Sequence, residues 1–166
     1  RSKYAGEVFV VQNVVNHLVC RAGWMMGGGP KKDKKFIQKI MLQLKQGKEE
    51  LFIVDDKLGT PTYTHDFAQN VKLLLEKEYW GLYNMVCGGI TGRYEVAVEL
   101  IDTLGLKDSI KVTPVTSDYW KEEYFADRPP SERLIDKKLN LRGANIMRNW
   151  KDCLKEYIDD YYQNYL

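Results

Sequence analysis

The sequence has few side chains suited to metal binding or to disulfide formation. Its 166 residues include three cysteines and two histidines. The cysteines are widely spaced and form no CxxC pair, at Cys20, Cys87 and Cys153. Their odd number and spacing argue against a disulfide framework or a zinc site and indicate reduced, mostly packed thiols. We therefore expect a cytoplasmic protein.

Long hydrophobic runs and a strong excess of one charge are also missing. The longest apolar stretch, residues 8–26, is interrupted by Gln12, Asn13, Asn16, His17 and Arg21. It therefore predicts neither a transmembrane helix nor a signal peptide. The formal net charge is only +2, and no basic stripe is interleaved with stacking aromatics. We expect no nucleic-acid partner and no membrane partner.

Phosphate-binding glycine motifs are absent as well, although two loops have glycines between a strand pattern and a helix pattern. In the first loop, Pro30 follows three glycines and removes a backbone donor. In the second, Gly89 and Gly92 precede Glu95, whose carboxylate would occupy the space that a pyrophosphate needs. We interpret both loops as ordinary strand–loop–helix turns.

Strand and helix patterns alternate along the chain. Apolar residues at helical spacing predict helices over residues 3–16, 34–47, 64–75, 93–105 and 147–162. Short apolar runs predict strands over residues 17–25, 50–56, 81–87 and 110–116, with loops at 57–63 and 117–132. The alternation predicts an α/β architecture.

Four separated stretches resemble one family. In chain order they read SKYAGE, CRAGWMMGGG, IVDDKLGTPTYTHDFA and RPPSERLIDKKL, and the third is the most specific. Together they resemble the extended short-chain dehydrogenases that act on nucleotide sugars, especially the dTDP-4-dehydrorhamnose reductases. The resemblance covers nearly the whole chain. It implies the C-terminal part of such an enzyme: the last strands and helices of a Rossmann-like sheet plus a small substrate-binding lobe.

This resemblance also implies a division of the chain. Residues 1–166 would form the C-terminal half of a nucleotide-sugar reductase, with the end of the catalytic helix at residues 1–16. The substrate lobe would lie mainly in residues 25–64 and 106–146, and the N-terminal dinucleotide-binding part would be absent. We therefore expect the isolated 166 residues to be inactive and to bind cofactor poorly.

Lys3 is the catalytic residue that the resemblance identifies. It corresponds to the lysine of a Tyr-x-x-x-Lys motif whose tyrosine would lie two residues before Arg1. Residues four apart share a helix face, so the ammonium lowers the pKa of the phenol and makes it a usable proton donor. In the family the same lysine also holds the nicotinamide ribose. Without the surrounding match, Lys3 would be interpreted as a solvated side chain.

The resemblance assigns four further site residues. Ala22 and Gly23 would approach the nicotinamide carboxamide at a strand end. Trp24 would lie beside the sugar, the alternative being a core aromatic residue. Arg128 would reach the nucleotide diphosphate, because a guanidinium suits paired phosphate oxygens, and its alternative is an ion pair in a loop. Glu132 departs from the serine usual in rhamnose reductases.

The activity implied is NADPH- or NADH-dependent reduction of a 4-keto-6-deoxy nucleotide sugar. Some rhamnose reductases have been associated with Mg²⁺, but the sequence identifies no ligands for it. The adjacent carboxylates of Asp55 and Asp56 point to opposite faces of a strand end, which favours loop anchoring over metal binding. A nucleotide-sugar substrate is the expected partner.

Two other functions and one further partner stay open at this point. The chain could belong to another nucleotide-sugar epimerase or reductase, of the GDP-fucose synthase type. It could also be a non-catalytic subunit that resembles the regulatory subunit of methionine adenosyltransferase. The first helix, through Val8, Val11 and Val15, is compatible with a homodimer surface and equally with burial in the core.

Overall fold

A computed structural model describes residues 1–122 and 129–166. The helices are α1 Ser2–Asn13, α2 Gly29–Lys32, α3 Phe36–Lys45, α4 Thr64–Glu76, α5 Arg93–Thr103, α6 Lys137–Leu141 and α7 Trp150–Tyr162. The strands are β1 Leu18–Arg21, β2 Trp24–Met26, β3 Glu50–Val54, β4 Leu58–Gly59, β5 Pro61–Tyr63, β6 Gly81–Asn84, β7 Thr91–Gly92 and β8 Lys111–Val115. The predicted α/β class is confirmed.

Parallel strand pairs joined through helices organise the chain. Strand β1 pairs with β6, β2 with β5 and β3 with β8, all in parallel, whereas β4 and β7 are antiparallel. Arg21 lies opposite Asn84 in the β1–β6 register. The carboxyl ends of parallel strands share one edge, so the segments that follow Arg21 and Asn84 emerge side by side.

Helix α3 shows how the sequence pattern becomes a packed core. Its buried apolar residues Ile37, Ile40, Met41 and Leu44 follow helical spacing, as predicted. They belong to one cluster with apolar residues of α5 and α7, among them Leu100, Leu154 and Tyr157. A second, smaller cluster forms around Leu74, Tyr83, Met85, Leu139 and Ala144.

Two of the segments that differ from the predicted secondary structure lie next to Trp24. The single strand expected over residues 17–25 is divided at Ala22 and Gly23, since β1 pairs with β6 while β2 pairs with β5. The loop expected over residues 57–63 contains β4 and β5. Pro61 can begin β5 because a proline at a strand start gives up no required donor. Pairing with residues distant in sequence therefore overrode the local turn composition.

Helix α1 contributes no buried side chain to the described structure. Tyr4 is 67% exposed, Phe9 66% and Val15 92%, whereas Val8 is half-buried. The described residues contain no element that covers these side chains, and the choice between a homodimer surface and burial in the core stays a prediction.

None of the helices in residues 1–122 and 129–166 is long and apolar enough to span a membrane. The three cysteines are free, with Cys87 and Cys153 buried and Cys20 half-buried.

Candidate functional site

An ion pair joins helix α1 to the carboxyl end of β1. The guanidinium of Arg21 donates from Nη2 to Glu7 Oε2 at 2.6 Å and from Nε to Glu7 Oε1 at 3.0 Å. Lys3, an exposed residue in the first turn, lies four residues before Glu7. Residues at this spacing share a helix face. The face that carries Lys3 is therefore the one tied to the end of β1.

The Glu7–Arg21 pair also sets the ionisation of its carboxylate. The hydrogen bond from Arg21 lowers the pKa of Glu7 below its ordinary value. Glu7 therefore stays ionised, and the attachment of α1 persists, through the neutral pH range.

Ala22 and Gly23 connect β1 to β2 directly after this ion pair. The Gly23 N–H donates to Thr62 Oγ1 at 2.9 Å. A Cβ on Gly23 would lie 2.2 Å from the Thr60 carbonyl oxygen and 3.2 Å from Val86 Cγ1. Close packing of the chain thus explains the glycine, and its contact with a cofactor stays a prediction.

The same edge has an unused hydrogen-bond acceptor. Asn84 donates from Nδ2 to the carbonyl of Ile135 at 3.1 Å. Its Oδ1 is buried and has no partner among the described residues. Buried acceptors are normally paired, so this oxygen is an exception among the described side chains.

Trp24 contacts two other segments of the chain, at residues 59–60 and at Glu132. Its backbone N–H donates to the Thr60 carbonyl at 2.9 Å, and its indole Nε1–H donates to Glu132 Oε2 at 2.9 Å. A Cβ on Gly59 would lie 2.1 Å from Trp24 Cζ2, so only glycine leaves room for the ring there. Trp24 is half-buried, and its place beside the sugar stays a prediction.

Strand β4 brings the distant segments around Trp24 together. Leu58 lies opposite Gly92 on one side and forms a bridge with Ser131 on the other. The Leu58 N–H donates to the Pro130 carbonyl at 2.9 Å, and the Glu132 N–H donates to the Leu58 carbonyl at 2.8 Å. Glu132 can therefore reach the indole although it lies far from Trp24 in the sequence.

Arg93 lies beside this tryptophan at the start of α5. Its guanidinium carbon is 5.2 Å from the centroid of the Trp24 ring. The preceding Gly92 N–H donates to Glu95 Oε2 at 2.8 Å. Glu95 thus caps the helix, as expected of an ordinary turn and not of a pyrophosphate-binding loop.

Sequence reasoning missed Arg93, Gly59 and the contact that Glu132 makes. Gly59 and Glu132 lie within motifs that carry the family resemblance, but those motifs do not reveal that both residues contact Trp24. Arg93 lies at a helix start outside the four motifs, so no local signal marked it. Arg128 lies outside the described residues, and its role stays a prediction. The roles of Lys3 and Trp24 in binding or catalysis also stay predictions.

An ion-pair cluster around the buried carboxylate of Asp66 joins helices α4 and α7. Arg148 donates from Nη2 to the buried carboxylate of Asp66 at 2.7 Å and from Nη1 to Glu156 at 2.6 Å. Burial alone would raise the pKa of Asp66, but the hydrogen bonds from Arg148 hold it below its ordinary value. The cluster fixes the start of α4 against α7 and has a structural role.

Carboxylates elsewhere in the described chain do not converge. Asp56 Oδ2 accepts hydrogen bonds from Ser117 N at 3.0 Å and from Ser117 Oγ at 2.8 Å, so it anchors a loop as expected. Within residues 1–122 and 129–166, no group of three or more His, Cys, Asp or Glu side chains could hold a metal ion.

Comparison with known proteins gives a consistent result. The RmlD substrate binding domain family matches residues 1–163. A dTDP-4-dehydrorhamnose reductase of Mycobacterium tuberculosis is 30% identical over 155 residues, which cover 93% of this chain and 49% of that protein. The chain spans about half the length of the curated relatives it matches.

Two solved structures are similar in fold and sequence. A dTDP-4-dehydrorhamnose reductase from Clostridium acetobutylicum is 34% identical with a TM-score of 0.81, covering 95% of this chain and 53% of that one. A dTDP-4-dehydrorhamnose reductase from Bacillus anthracis, solved in complex with NADP, is 28% identical with a TM-score of 0.81 and coverages of 96% and 53%.

Proposed function

Because the chain belongs to the RmlD substrate binding domain family, we propose that it forms the substrate-binding half of an NAD(P)H-dependent oxidoreductase. The complete enzyme reduces a 4-keto-6-deoxy nucleotide sugar, like the dTDP-4-dehydrorhamnose reductases that it resembles. The product would serve the synthesis of deoxysugars for cell-surface polysaccharides, in the cytoplasm. The proposal is supported by a family match that runs nearly the whole length of the chain.

The division of the chain follows from the same proposal. Residues 1–16 would end the catalytic helix, and residues 25–64 and 106–146 would supply most of the substrate lobe. The remaining half of the enzyme would contain the dinucleotide-binding glycines and the tyrosine of the Tyr-x-x-x-Lys motif. The Glu7–Arg21 pair supports this division, because it ties the face of Lys3 to the strand edge at Ala22 and Gly23.

The residues of this chain would have the following roles. Lys3 would hold the nicotinamide ribose and lower the pKa of the tyrosine that protonates the sugar carbonyl oxygen. Ala22 and Gly23 would border the carboxamide. Trp24 would position the sugar, and Arg128 would bind the diphosphate. When bound, NADPH or NADH would supply the hydride to the sugar C4.

A homodimer through α1 is part of the proposal. The apolar side chains of Phe9 and Val15 are 66% and 92% exposed, and burial of such groups is favourable. Sedimentation of the complete protein and of its Val15→Glu variant tests this contact. A wild-type dimer that becomes monomeric in the variant supports it, and a dimer that persists in the variant contradicts it.

The function is tested by the loss of NADPH absorbance when the complete polypeptide is mixed with dTDP-4-dehydrorhamnose. We expect turnover by the complete protein, a large loss in the Lys3→Met variant, and no turnover by residues 1–166 alone. Binding of the nucleotide sugar without oxidation of NADPH would favour the non-catalytic alternative. Exchange of solvent protons into the sugar without reduction would favour an epimerase.

A further inference from the structure

Arg93 has an environment that its position at a helix start does not explain. Its guanidinium carbon lies 5.2 Å from the ring centroid of Trp24 and 5.9 Å from that of Phe36. The residue is half-buried. Stacking on aromatic faces holds a guanidinium in place while leaving its in-plane N–H donors available.

The nearby carboxylates have other partners. Glu95 accepts from the Gly92 N–H, and Glu132 accepts from the indole of Trp24. Among the described residues, no carboxylate forms an ion pair with Arg93. The guanidinium is therefore available to pair with an anionic ligand.

We propose that Arg93 binds the diphosphate of the nucleotide sugar, next to the sugar that Trp24 contacts. This assignment rests on the proposed function, in which the ligand carries two phosphates. A guanidinium fork matches paired phosphate oxygens, and an aromatic backing fixes its orientation.

The test compares nucleosides with their diphosphates. Calorimetry measures the binding of three nucleosides, thymidine, uridine and guanosine, and of their diphosphates dTDP, UDP and GDP. Each is tested with the complete protein and with its Arg93→Met and Arg93→Lys variants. We expect Arg93→Met to lower the affinity for the preferred nucleoside diphosphate by about tenfold to a hundredfold. The affinity for the matching nucleoside should be unchanged. Arg93→Lys keeps the charge but loses the paired N–H donors of the guanidinium. Its affinity for the diphosphate should lie between those of the wild type and Arg93→Met.

Arg142 provides the matched control, because its guanidinium carbon lies 4.8 Å from the centroid of the Tyr79 ring in the other cluster. Arg142→Met should leave diphosphate binding unchanged, and thermal unfolding establishes that each variant folds. Equal binding of the diphosphate by wild type and Arg93→Met overturns the assignment of Arg93 alone. An equal loss of nucleoside and diphosphate affinity also overturns it. A wild-type protein that binds none of the diphosphates overturns the proposed function together with this assignment.

Discussion

Glu7 and Arg21 form a bidentate ion pair that links helix α1 to the end of strand β1. Arg21 Nη2 lies 2.6 Å from Glu7 Oε2. The helix buries no side chain in the described structure. The pair is a direct side-chain contact between α1 and the end of β1. Because Lys3 lies one turn before Glu7, on the same face, the pair holds that face toward the end of β1.

Replacing Glu7 should therefore reduce activity more than stability. In Glu7→Gln the guanidinium loses its charged partner, and we expect turnover of the complete enzyme to fall by about tenfold to a hundredfold, as misplaced catalytic groups do. Steady-state NADPH oxidation measures the effect. Glu76→Gln is the control, since Glu76 pairs with Lys72 on the exposed surface of α4. Equal rates in Glu7→Gln and the control would contradict the positioning role.

Gly59 should tolerate no side chain. In Gly59→Ala the new Cβ meets Trp24 Cζ2 at 2.1 Å, so the ring must move, at a cost of about 1–3 kcal/mol. We expect a lower urea midpoint and a shift in tryptophan fluorescence. Gly88→Ala is the control, because its Cβ would meet no atom closer than 3.9 Å. The packing described for Trp24 is wrong if both variants unfold like the wild type.

Asp136 should make stability depend on pH. Burial raises the pKa of Asp136 to about 6, and its carboxylate accepts from the Val86 N–H at 3.1 Å. The pKa of Asp136 is about 4 in the unfolded chain, lower than in the folded state. Its contribution to the free energy of unfolding is therefore fully present below about pH 4 and is lost as the pH rises toward 6. The free energy of unfolding falls by up to about 3 kcal/mol over this range, because the pKa of Asp136 differs by about 2 between the folded and unfolded states.

Asp136→Asn keeps an acceptor for Val86 and removes this titration. We therefore expect the variant to gain stability relative to the wild type between about pH 4 and pH 6. Urea unfolding of both proteins across this range measures the difference, and other titrating groups cancel in the comparison. Parallel pH profiles for the two proteins would show that Asp136 does not titrate as described.

Arg148 should contribute strongly to stability because Asp66 is buried. Arg148→Met leaves the Asp66 carboxylate, 5% exposed, without its charged donor, and we expect a loss of about 3 kcal/mol. Lys151→Met is the control: it breaks the more exposed pair with Glu99 and should cost less than about 1 kcal/mol. Chemical denaturation compares the two. Equal losses would contradict the structural role of the cluster.

The sequence predicted those elements whose pattern is local. Helix α3 follows from the spacing of Ile37, Ile40 and Met41, and the α/β class follows from the alternation of patterns. Strands β4 and β5 were not predictable, because they exist through pairing with β7 and β2. The same limit applies to Arg93, which reaches Trp24 only after residues distant in the sequence have paired.

The resemblance to the family was confirmed, but it could not reveal how the site is supported. Four motifs indicated Lys3 and Trp24 as site residues. They gave no indication of the ion pair between Glu7 and Arg21 or of the hydrogen bond between Trp24 and Glu132. Both contacts join residues in different elements, and neither has a characteristic spacing in the sequence.

Hydride transfer to a nucleotide sugar is the central claim, and isotope transfer tests it most directly. The complete protein is incubated with dTDP-4-dehydrorhamnose and with NADPH or NADH that carries deuterium at both hydrogen positions of the nicotinamide C4, and the sugar is analysed by NMR and mass spectrometry. We predict deuterium at the sugar C4, and its loss in the Lys3→Met variant. A sugar that carries no cofactor-derived deuterium, or that carries label only from solvent, would contradict the account.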